Sequence, residues 1–228
     1  AMLTPVDFWN EARTKVDGVK KLFWLAECDQ WNEPAYLEVF DAAYTWKWMH
    51  ATQEYYRRSL PIHTLVDTLY SYNGLRPKNA IRAWFTSNHD ENSWNGTEYE
   101  KYGEMALPLA VFSCTWNGIP LLYNGQELPN RKRLSFFEKD PIEWNQYCEL
   151  HDFYKKLLEL HHHHPALMAG SEKVKTIFVG TEHQDKVLAY LRSNGGAEVL
   201  TLLNLSPYPL VINVYDQDVS GEFQELYT

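Results

Sequence analysis

The sequence predicts an α/β fold in its larger first part and a small antiparallel β domain after it. In the first part, short apolar runs alternate with longer helix-like stretches, as parallel strands joined by helices do. After Gly170 the pattern changes to strand-like runs separated by Gly, Asn and Pro turns. We therefore predict two domains, residues 1–170 and residues 171–228. The alternation is equally compatible with a doubly wound sheet and with a (β/α) barrel.

The predicted strands of the first domain are nearly continuously apolar, which is typical of parallel strands covered on both faces. Amphipathic stretches between them predict helices, and the last of these ends before a proline. In chain order, the predicted elements of the first domain are a strand at 22–26, helices at 43–58 and 62–70, a strand at 81–86, a helix at 98–116, a strand at 119–123 and a helix at 147–160. The second domain has predicted strands at 173–179, 186–192, 198–203 and 210–214.

Composition narrows the possible partners. The chain has 30 acidic against 21 basic residues and a formal net charge of −9. A phosphate backbone is therefore a poor ligand, and we predict no nucleic-acid partner. No apolar run reaches membrane-spanning length, so we predict no membrane association.

The three cysteines are far apart without paired metal-ligand spacing, and the run of four histidines at 161–164 fits a helix end, so we predict no metal. The cysteines do not fix the cellular compartment.

Two carboxylates follow predicted strands. Glu27 comes directly after the strand at 22–26, and Asp90 lies in the polar segment 87–92 after the strand at 81–86. Because the carboxyl ends of parallel strands converge on one face, we expect both carboxyl groups in one cleft. From the residues alone, a solvated loop position is the favoured interpretation of each acid and catalysis is the alternative. The polar residues clustered after a buried strand favour a functional site without naming a reaction.

Four segments resemble the conserved motifs of the α-amylase family of glycoside hydrolases, and they occur in the family's order. Phe23–Glu27 resembles the strand that ends in the general acid, Phe40–Trp46 the sixth strand, Phe85–Asp90 the Asn-His-Asp motif, and Gly118–Glu127 the eighth strand. The resemblance implies a partial (β/α)8 TIM barrel, about strands five to eight, followed by a small antiparallel β-sandwich domain that is possibly truncated.

The resemblance also implies catalytic roles. Glu27 would protonate the departing glycosidic oxygen and later deprotonate water, which requires an apolar setting that keeps the acid protonated. Asp90 would be the third carboxylate, which binds sugar hydroxyls and favours the cation-like transition state. Strand alternation places Leu25 on the side of Glu27 and Trp24 on the opposite side, so Trp24 is expected to be structural.

Four further residues are predicted to bind substrate. His89 and Asn88 belong to the Asn-His-Asp motif, in which the imidazole hydrogen-bonds the same sugar. Trp31 and Trp94 lie in loops after strands of the catalytic face, where they would stack on glucose rings or pack under the loops.

The family's nucleophile is an Asp at the end of the fourth strand, shortly before a segment that resembles residues 1–9. Asp7 does not replace it, because it falls at the start of a helix, where an acid is a favourable terminal residue. We therefore expect the chain to be a fragment that lacks the nucleophile and is inactive alone. No cofactor is predicted in this segment; in the family, calcium belongs to the missing N-terminal part.

The sequence thus predicts a retaining α-glucan hydrolase that acts on α-linked glucosides such as starch or maltooligosaccharides. The alternatives are a non-catalytic carbohydrate-binding or interaction protein on the same fold, and a transglycosylase or isomerase of the same family. An open half-barrel exposes strand edges and apolar side chains such as Phe23 and Leu25. We therefore expect a homodimer or association with the missing N-terminal half.

Overall fold

The structure is a computed structural model that describes residues 4–29, 34–75, 77, 80–144, 147–215 and 219–227. The α-helices are α1 (Val6–Asp17), α2 (Trp46–Arg58), α3 (His63–Asn73), α4 (His89–Trp94), α5 (Glu98–Tyr102), α6 (Ala106–Thr115) and α7 (His151–His163). The strands are β1 (Leu25–Asp29), β2 (Ala42–Tyr44), β3 (Ile81–Trp84), β4 (Ile119–Pro120), β5 (Lys175–Phe178), β6 (Val187–Asn194) and β7 (Ala197–Asn204). None of the helices in these ranges is long and apolar enough to cross a membrane.

The first four strands form one parallel sheet in the order β1-β2-β3-β4. Helices α2 and α3 connect β2 to β3, and α4, α5 and α6 connect β3 to β4. Each connection therefore returns the chain in the same direction, which confirms the predicted α/β class. The sheet has two edges, β1 and β4, and closure into a barrel stays a prediction.

The first strand begins later than predicted. β1 starts at Leu25 rather than at residue 22, so Glu27 lies inside the strand instead of after it. The reason is the pairing of Trp24, whose backbone N–H donates to the Asp41 carboxylate at 2.8 Å and whose carbonyl accepts from the Asp41 N–H at 2.8 Å. Along β1, Leu25 and Glu27 are exposed and Ala26 is buried, which confirms the predicted alternation.

Two predicted helices are divided differently in the structure. The helix predicted at 43–58 begins at Trp46, because the residues before it belong to β2. The helix predicted at 98–116 is two helices, α5 and α6, separated at Gly103. Gly103 has a φ of 53°, a conformation that a continuous helix cannot contain. The short helix α4 was predicted as a loop, and β4 is shorter than predicted because it ends at Pro120.

The main core lies between the parallel sheet and its helices, and it is unusually aromatic. The rings of Trp48 and Phe112 stack with centroids 4.2 Å apart, and Trp84 meets both at right angles. Helix α6 is buried on most sides, as its largely apolar sequence requires. Most of the tryptophan and tyrosine side chains near this helix therefore belong to the packed core.

The C-terminal region forms one three-stranded antiparallel sheet, β5-β6-β7. The fourth strand predicted at 210–214 is wrong as a strand, because only Val214 forms an isolated bridge, with Thr181. A β-sandwich is thus not established among the described residues. Tyr190 of β6 enters the main core, where its hydroxyl lies 2.6 Å from Thr115 Oγ1 and its ring packs on Trp116.

The histidine run ends helix α7, and the helix stops before Pro165 as predicted. His161 is partly buried and donates from Nδ1 to the Cys114 carbonyl at 2.8 Å. Burial lowers the pKa of His161 below its usual value. This histidine therefore has a structural role at the end of the helix.

Candidate active site

Strand β1 and the segment after β3, on either side of β2, bring the predicted catalytic residues together. Glu27 is the central residue of β1, and its side chain points to the exposed side of the strand. His89 and Asp90 are the first two residues of α4, which begins shortly after β3 ends. The short connection between β3 and α4 is what places a strand residue beside two helix residues.

The three side chains form one cluster. The Nε2 atom of His89 lies 3.4 Å from Glu27 Oε1 and 3.6 Å from Asp90 Oδ1. The nitrogen and the two carboxylate oxygens are all within 4.8 Å of one another. The expectation that Glu27 and Asp90 share one end of the sheet is therefore confirmed. The distances to His89 exceed normal hydrogen-bond lengths, so the imidazole sits between the carboxylates without being locked to either.

The cluster is open to solvent. The side chains of Glu27 and His89 are 47% and 50% exposed, and that of Asp90 is 37% exposed. A ligand can therefore reach all three groups. The apolar setting expected around Glu27 is not supplied by the described residues, because Leu25 on the same side of β1 is itself exposed.

Tyr44 is a further member of the site that the sequence did not single out. It ends β2, and its ring packs on Phe85 with centroids 5.2 Å apart. Burial and the negative charges of Glu27 and Asp90 raise the pKa of Tyr44. The phenol thus keeps its proton and remains a hydrogen-bond donor next to two carboxylates. The sequence could have identified Tyr44 by its position, because it ends the strand that lies between the strands preceding and carrying the two carboxylates.

Asn88 has a structural role at the start of α4, and its predicted contact with substrate stays a prediction. Its side chain is buried, and Oδ1 accepts the backbone N–H of Glu91 at 2.8 Å, which caps α4. Asn88 Nδ2 has no hydrogen-bond partner among the described residues. Asn88 therefore acts on the site by fixing the start of the helix that carries His89 and Asp90. Trp31 lies outside the described residues, so its predicted contact remains a prediction.

A buried polar network lies directly beneath the cluster. Lys101 is fully buried and donates from Nζ to the Thr86 carbonyl at 2.8 Å and to Glu91 Oε2 at 3.3 Å. Gln126 Nε2 donates to Glu98 Oε1 at 2.7 Å, and Thr86 Oγ1 donates to the same carboxylate. The network joins the end of β3 to α4, α5 and the segment after β4.

Burial changes the titration of this network. It raises the pKa of Glu98, partly offset by the hydrogen bonds from Thr86 and Gln126. It lowers the pKa of Lys101, against the attraction of Glu91. These groups are out of reach of a ligand, so we assign them to the support of α4 rather than to chemistry.

Asp29, two residues after Glu27 in β1, is a carboxylate with a structural role. It is buried, and it accepts the Tyr72 hydroxyl and the Lys47 backbone N–H, each at 2.7 Å. Burial and the Asp29 charge raise the pKa of Tyr72. Strand β1 therefore carries one exposed carboxylate, Glu27, and one buried, hydrogen-bonded carboxylate, Asp29.

Exposed aromatic rings adjoin the cluster. Trp94, at the end of α4, is 56% exposed, as expected for a ring that is predicted to contact sugar. It packs against Phe136, whose ring also stacks on His89 with centroids 6.3 Å apart. Phe136 and its neighbour Phe137 were not predicted, because they lie in an irregular segment that carries none of the four motifs.

A cavity lies apart from this cluster. It has a volume of about 420 Å³ and lies between the segment after β4 and helix α7, where its lining includes Tyr123, Glu127, Tyr154 and Lys155. It contains none of the three clustered residues. We therefore place the candidate site at Glu27, His89 and Asp90, where carboxylates and an imidazole converge. These are also metal-ligating residue types, and the absence of a metal stays a prediction.

Comparison with known proteins identifies relatives of one kind, although no family model matches the chain. Alpha-amylase 2 of Dictyoglomus thermophilum is 26% identical over 159 residues, which are 64% of this chain and 26% of that protein. Alpha-amylase MalA of Haloarcula japonica is 30% identical over 140 residues, which are 60% of this chain and 20% of that protein. The chain therefore spans about a quarter or less of these two curated relatives.

Solved structures give the same result for the fold. The maltogenic alpha-amylase AmyB of Thermotoga neapolitana superposes with a TM-score of 0.82 at 22% identity, over 96% of this chain and 50% of that one. The alpha-amylase of Lactobacillus plantarum superposes with a TM-score of 0.75 at 22% identity, over 90% and 50%. These comparisons confirm the resemblance to the α-amylase family of glycoside hydrolases, with about half of each solved chain covered.

Proposed function

We propose that the chain supplies the general acid and the third carboxylate of a retaining α-glucan hydrolase, acting on starch or maltooligosaccharides. The observation that carries the proposal is the convergence of Glu27, His89 and Asp90 within 4.8 Å at one end of the parallel sheet. The alpha-amylase relatives support the α-glucan as substrate class. A solved neighbour from Geobacillus thermoleovorans is complexed with acarbose, which supports an oligosaccharide ligand.

The proposed mechanism assigns one role to each group. Glu27 donates its proton to the glycosidic oxygen as the bond breaks, and the resulting carboxylate later takes a proton from water. Asp90 accepts hydrogen bonds from sugar hydroxyls, and its charge stabilises the positive charge that develops on the ring. His89 donates to the same sugar from between the two carboxylates. Occupation by sugar, together with the segment that completes the barrel, would supply the apolar setting that Glu27 lacks here.

The spacing of the two carboxylates limits their roles. An inverting pair needs about 6.5–9.5 Å between its carboxyl groups to hold a water molecule. One oxygen of Glu27 and one of Asp90 lie within 4.8 Å of each other, which favours the retaining mechanism, with about 5–5.5 Å between carboxyl groups. Because the family resemblance gives Asp90 the sugar-binding role, we assign the nucleophile to a third carboxylate, on a segment that completes the barrel.

The experiment that tests this proposal supplies a complementing segment, such as the N-terminal half of the AmyB barrel, and measures release of maltooligosaccharides. We expect no appreciable release by the 228-residue chain alone and clear release by the complemented chain. Glu27→Gln should abolish most of that activity. Glu11→Gln is the matched control, because Glu11 is an exposed carboxylate on α1.

Two results would contradict the proposal. Full activity of the complemented Glu27→Gln variant would remove the general-acid role. Robust release by the 228-residue chain alone, dependent on Glu27, would show that the nucleophile is within it.

Association through the open sheet is the second part of the proposal. Leu22, Phe23 and Leu25 are 43%, 57% and 38% exposed beside the unpaired edge of β1. Contiguous apolar side chains next to a strand edge are typical of an interface. We expect light scattering at micromolar concentration to show a dimer, or a 1:1 complex when a complementing segment is present. A compact monomer in both conditions would contradict this part.

A further inference from the structure

An aromatic surface extends outward from the carboxylate cluster. It consists of Trp94, Phe136 and Phe137, and we call it the aromatic platform. Phe136 is 39% exposed and Phe137 is 82% exposed. The ring centroids of Trp94 and Phe136 are 5.1 Å apart, and those of Phe136 and Phe137 are 4.8 Å apart. Because Phe136 also stacks on His89, the rings continue from the cluster without a gap.

Polar bonds hold the segment that carries the two phenylalanines. The Leu134 N–H donates to Asn92 Oδ1 at 2.8 Å, and Asn92 belongs to α4. The Ser135 N–H donates to Asp140 Oδ2 at 2.9 Å. Arg133 pairs with Glu100 of α5 at 2.9 Å. The backbone is thus anchored on both sides of the rings while the rings themselves stay in solvent, which is the arrangement of a preformed binding surface.

The chemistry of the platform favours a neutral ligand with flat apolar faces. The charges of Arg133 and Glu100 beside it are paired with each other, so they offer no net charge to a ligand. A pyranose ring has two faces of C–H groups that pack on aromatic rings while its hydroxyls stay in water. A glucan that leaves the cluster past His89 would meet Phe136 first, with Trp94 and Phe137 beside it.

We propose that the aromatic platform binds the glucose units adjacent to the one held by Glu27, His89 and Asp90, and so sets a preference for longer α-glucans. This inference rests on the proposed function for the identity of the ligand. The platform residues are positioning and binding residues, because none of them touches the reacting bond.

The experiment titrates the 228-residue chain with maltoheptaose and with glucose, by calorimetry and by NMR. We expect Phe137→Ala to weaken maltoheptaose binding by roughly threefold to tenfold, the effect of losing one stacked ring. Phe137→Leu should weaken it nearly as much, because it keeps an apolar side chain but removes the aromatic face. Glucose binding should not change. Tyr208→Ala is the matched control, an exposed ring (69%) beyond β7.

The folding of Phe137→Ala is checked by its melting temperature, which should equal that of the wild type because the side chain is mostly in solvent. Unchanged maltoheptaose binding in both Phe137→Ala and Phe136→Ala would overturn the inference. Absence of binding by the wild-type chain at millimolar maltoheptaose would overturn it as well. A change in self-association without a change in sugar binding would assign the platform to a protein contact instead.

The two proposals fail separately. If the complemented chain loses activity with Glu27→Gln but the platform variants bind maltoheptaose normally, the platform is wrong and the proposed function stands. If the platform variants lose binding while complemented Glu27→Gln remains active, the proposed catalytic role is wrong and the platform stands as a glucan-binding surface.

Discussion

Helix α4 separates two clusters of charged side chains that differ in almost every physical respect. On its outer side, His89 and Asp90 meet Glu27 in an open cluster with side chains 37–50% exposed. On its inner side, the next residue, Glu91, pairs with Lys101 in a cluster whose side chains are at most 3% exposed. Consecutive residues of one short helix thus belong to a solvent-accessible site and to the protein interior.

The difference between the clusters indicates that they have different functions. In the inner cluster, Lys101 donates hydrogen bonds to Glu91 and to the Thr86 carbonyl, and burial lowers the pKa of Lys101. In the outer cluster, His89 lies farther from the two carboxylates than a normal hydrogen bond. Charges with loose partners in solvent are available to a ligand, and charges with fixed partners in the interior determine where α4 lies. The variants below test this division, from the largest expected effect to the smallest.

Lys101→Met should have the largest effect on stability. It leaves the buried Glu91 carboxylate without its cation, which costs about 3–5 kcal/mol in the free energy of unfolding. Denaturant unfolding measures the change. Lys15→Met is the matched control, because it removes an exposed i,i+4 pair with Glu11 on α1 and should have no measurable effect. Equal stability of Lys101→Met and the wild type would show that the inner cluster does not hold α4.

Gln126→Leu should have the second largest effect. The substitution replaces the amide with an apolar side chain of similar size, so it removes the donor to Glu98 Oε1 and the acceptor of the Tyr123 N–H. Leaving buried polar groups without partners costs about 1–3 kcal/mol each. Gln184→Leu, at an exposed position, is the control in the same denaturant experiment. Comparable unfolding midpoints for both variants would contradict the role of Gln126.

The sequence predicted the open cluster better than the buried one, for a physical reason. Glu27 follows a strand pattern of period two, and Asp90 follows an apolar run, so the ends of both strands could be located. Glu98 and Lys101 gain their role only from burial, which depends on how α5 packs and leaves no local pattern.

The sequence contains signals for the starts of α4 and α5 that the prediction did not use. Asn88 stands three residues before Glu91, and Thr97 stands three residues before Glu100, which are the spacings of helix caps. Reading Asn88 as a cap would have predicted α4. The aromatic platform had no comparable signal, because the exposure of Phe136 and Phe137 depends on tertiary anchoring of their segment.

The free energy of unfolding should depend on pH through the protonation of Glu98. Its pKa is raised by burial, so its folded-state pKa exceeds the unfolded value. The stability that its protonation contributes is complete below the unfolded pKa of about 4.5 and is lost as the pH rises through the folded value. The loss is at most about 1.4 kcal/mol per pH unit for one group. Denaturant unfolding measured from pH 4 upward should show this loss for the wild type and not for Glu98→Gln. Identical pH profiles of the two proteins would contradict the role of Glu98.

Glu27→Gln and Asp90→Asn should have the smallest effect on stability. Both side chains are accessible to solvent and close to each other, so neutralising either should change the free energy of unfolding by less than about 0.5 kcal/mol, or increase it slightly. Denaturant unfolding of the two variants tests this. A loss as large as that of Lys101→Met would end the distinction between the clusters, because Glu27 and Asp90 would then be structural.

The contact between Tyr190 and Thr115 has a consequence for how the molecule opens. Because β6 contributes to the aromatic core around Phe112, the C-terminal sheet cannot separate without exposing the interior of the parallel sheet. Amide hydrogens in β6 and in α6 should therefore exchange with solvent in one cooperative event, at nearly the same opening free energy. Although the chain has two sheets, it would behave as one folding unit.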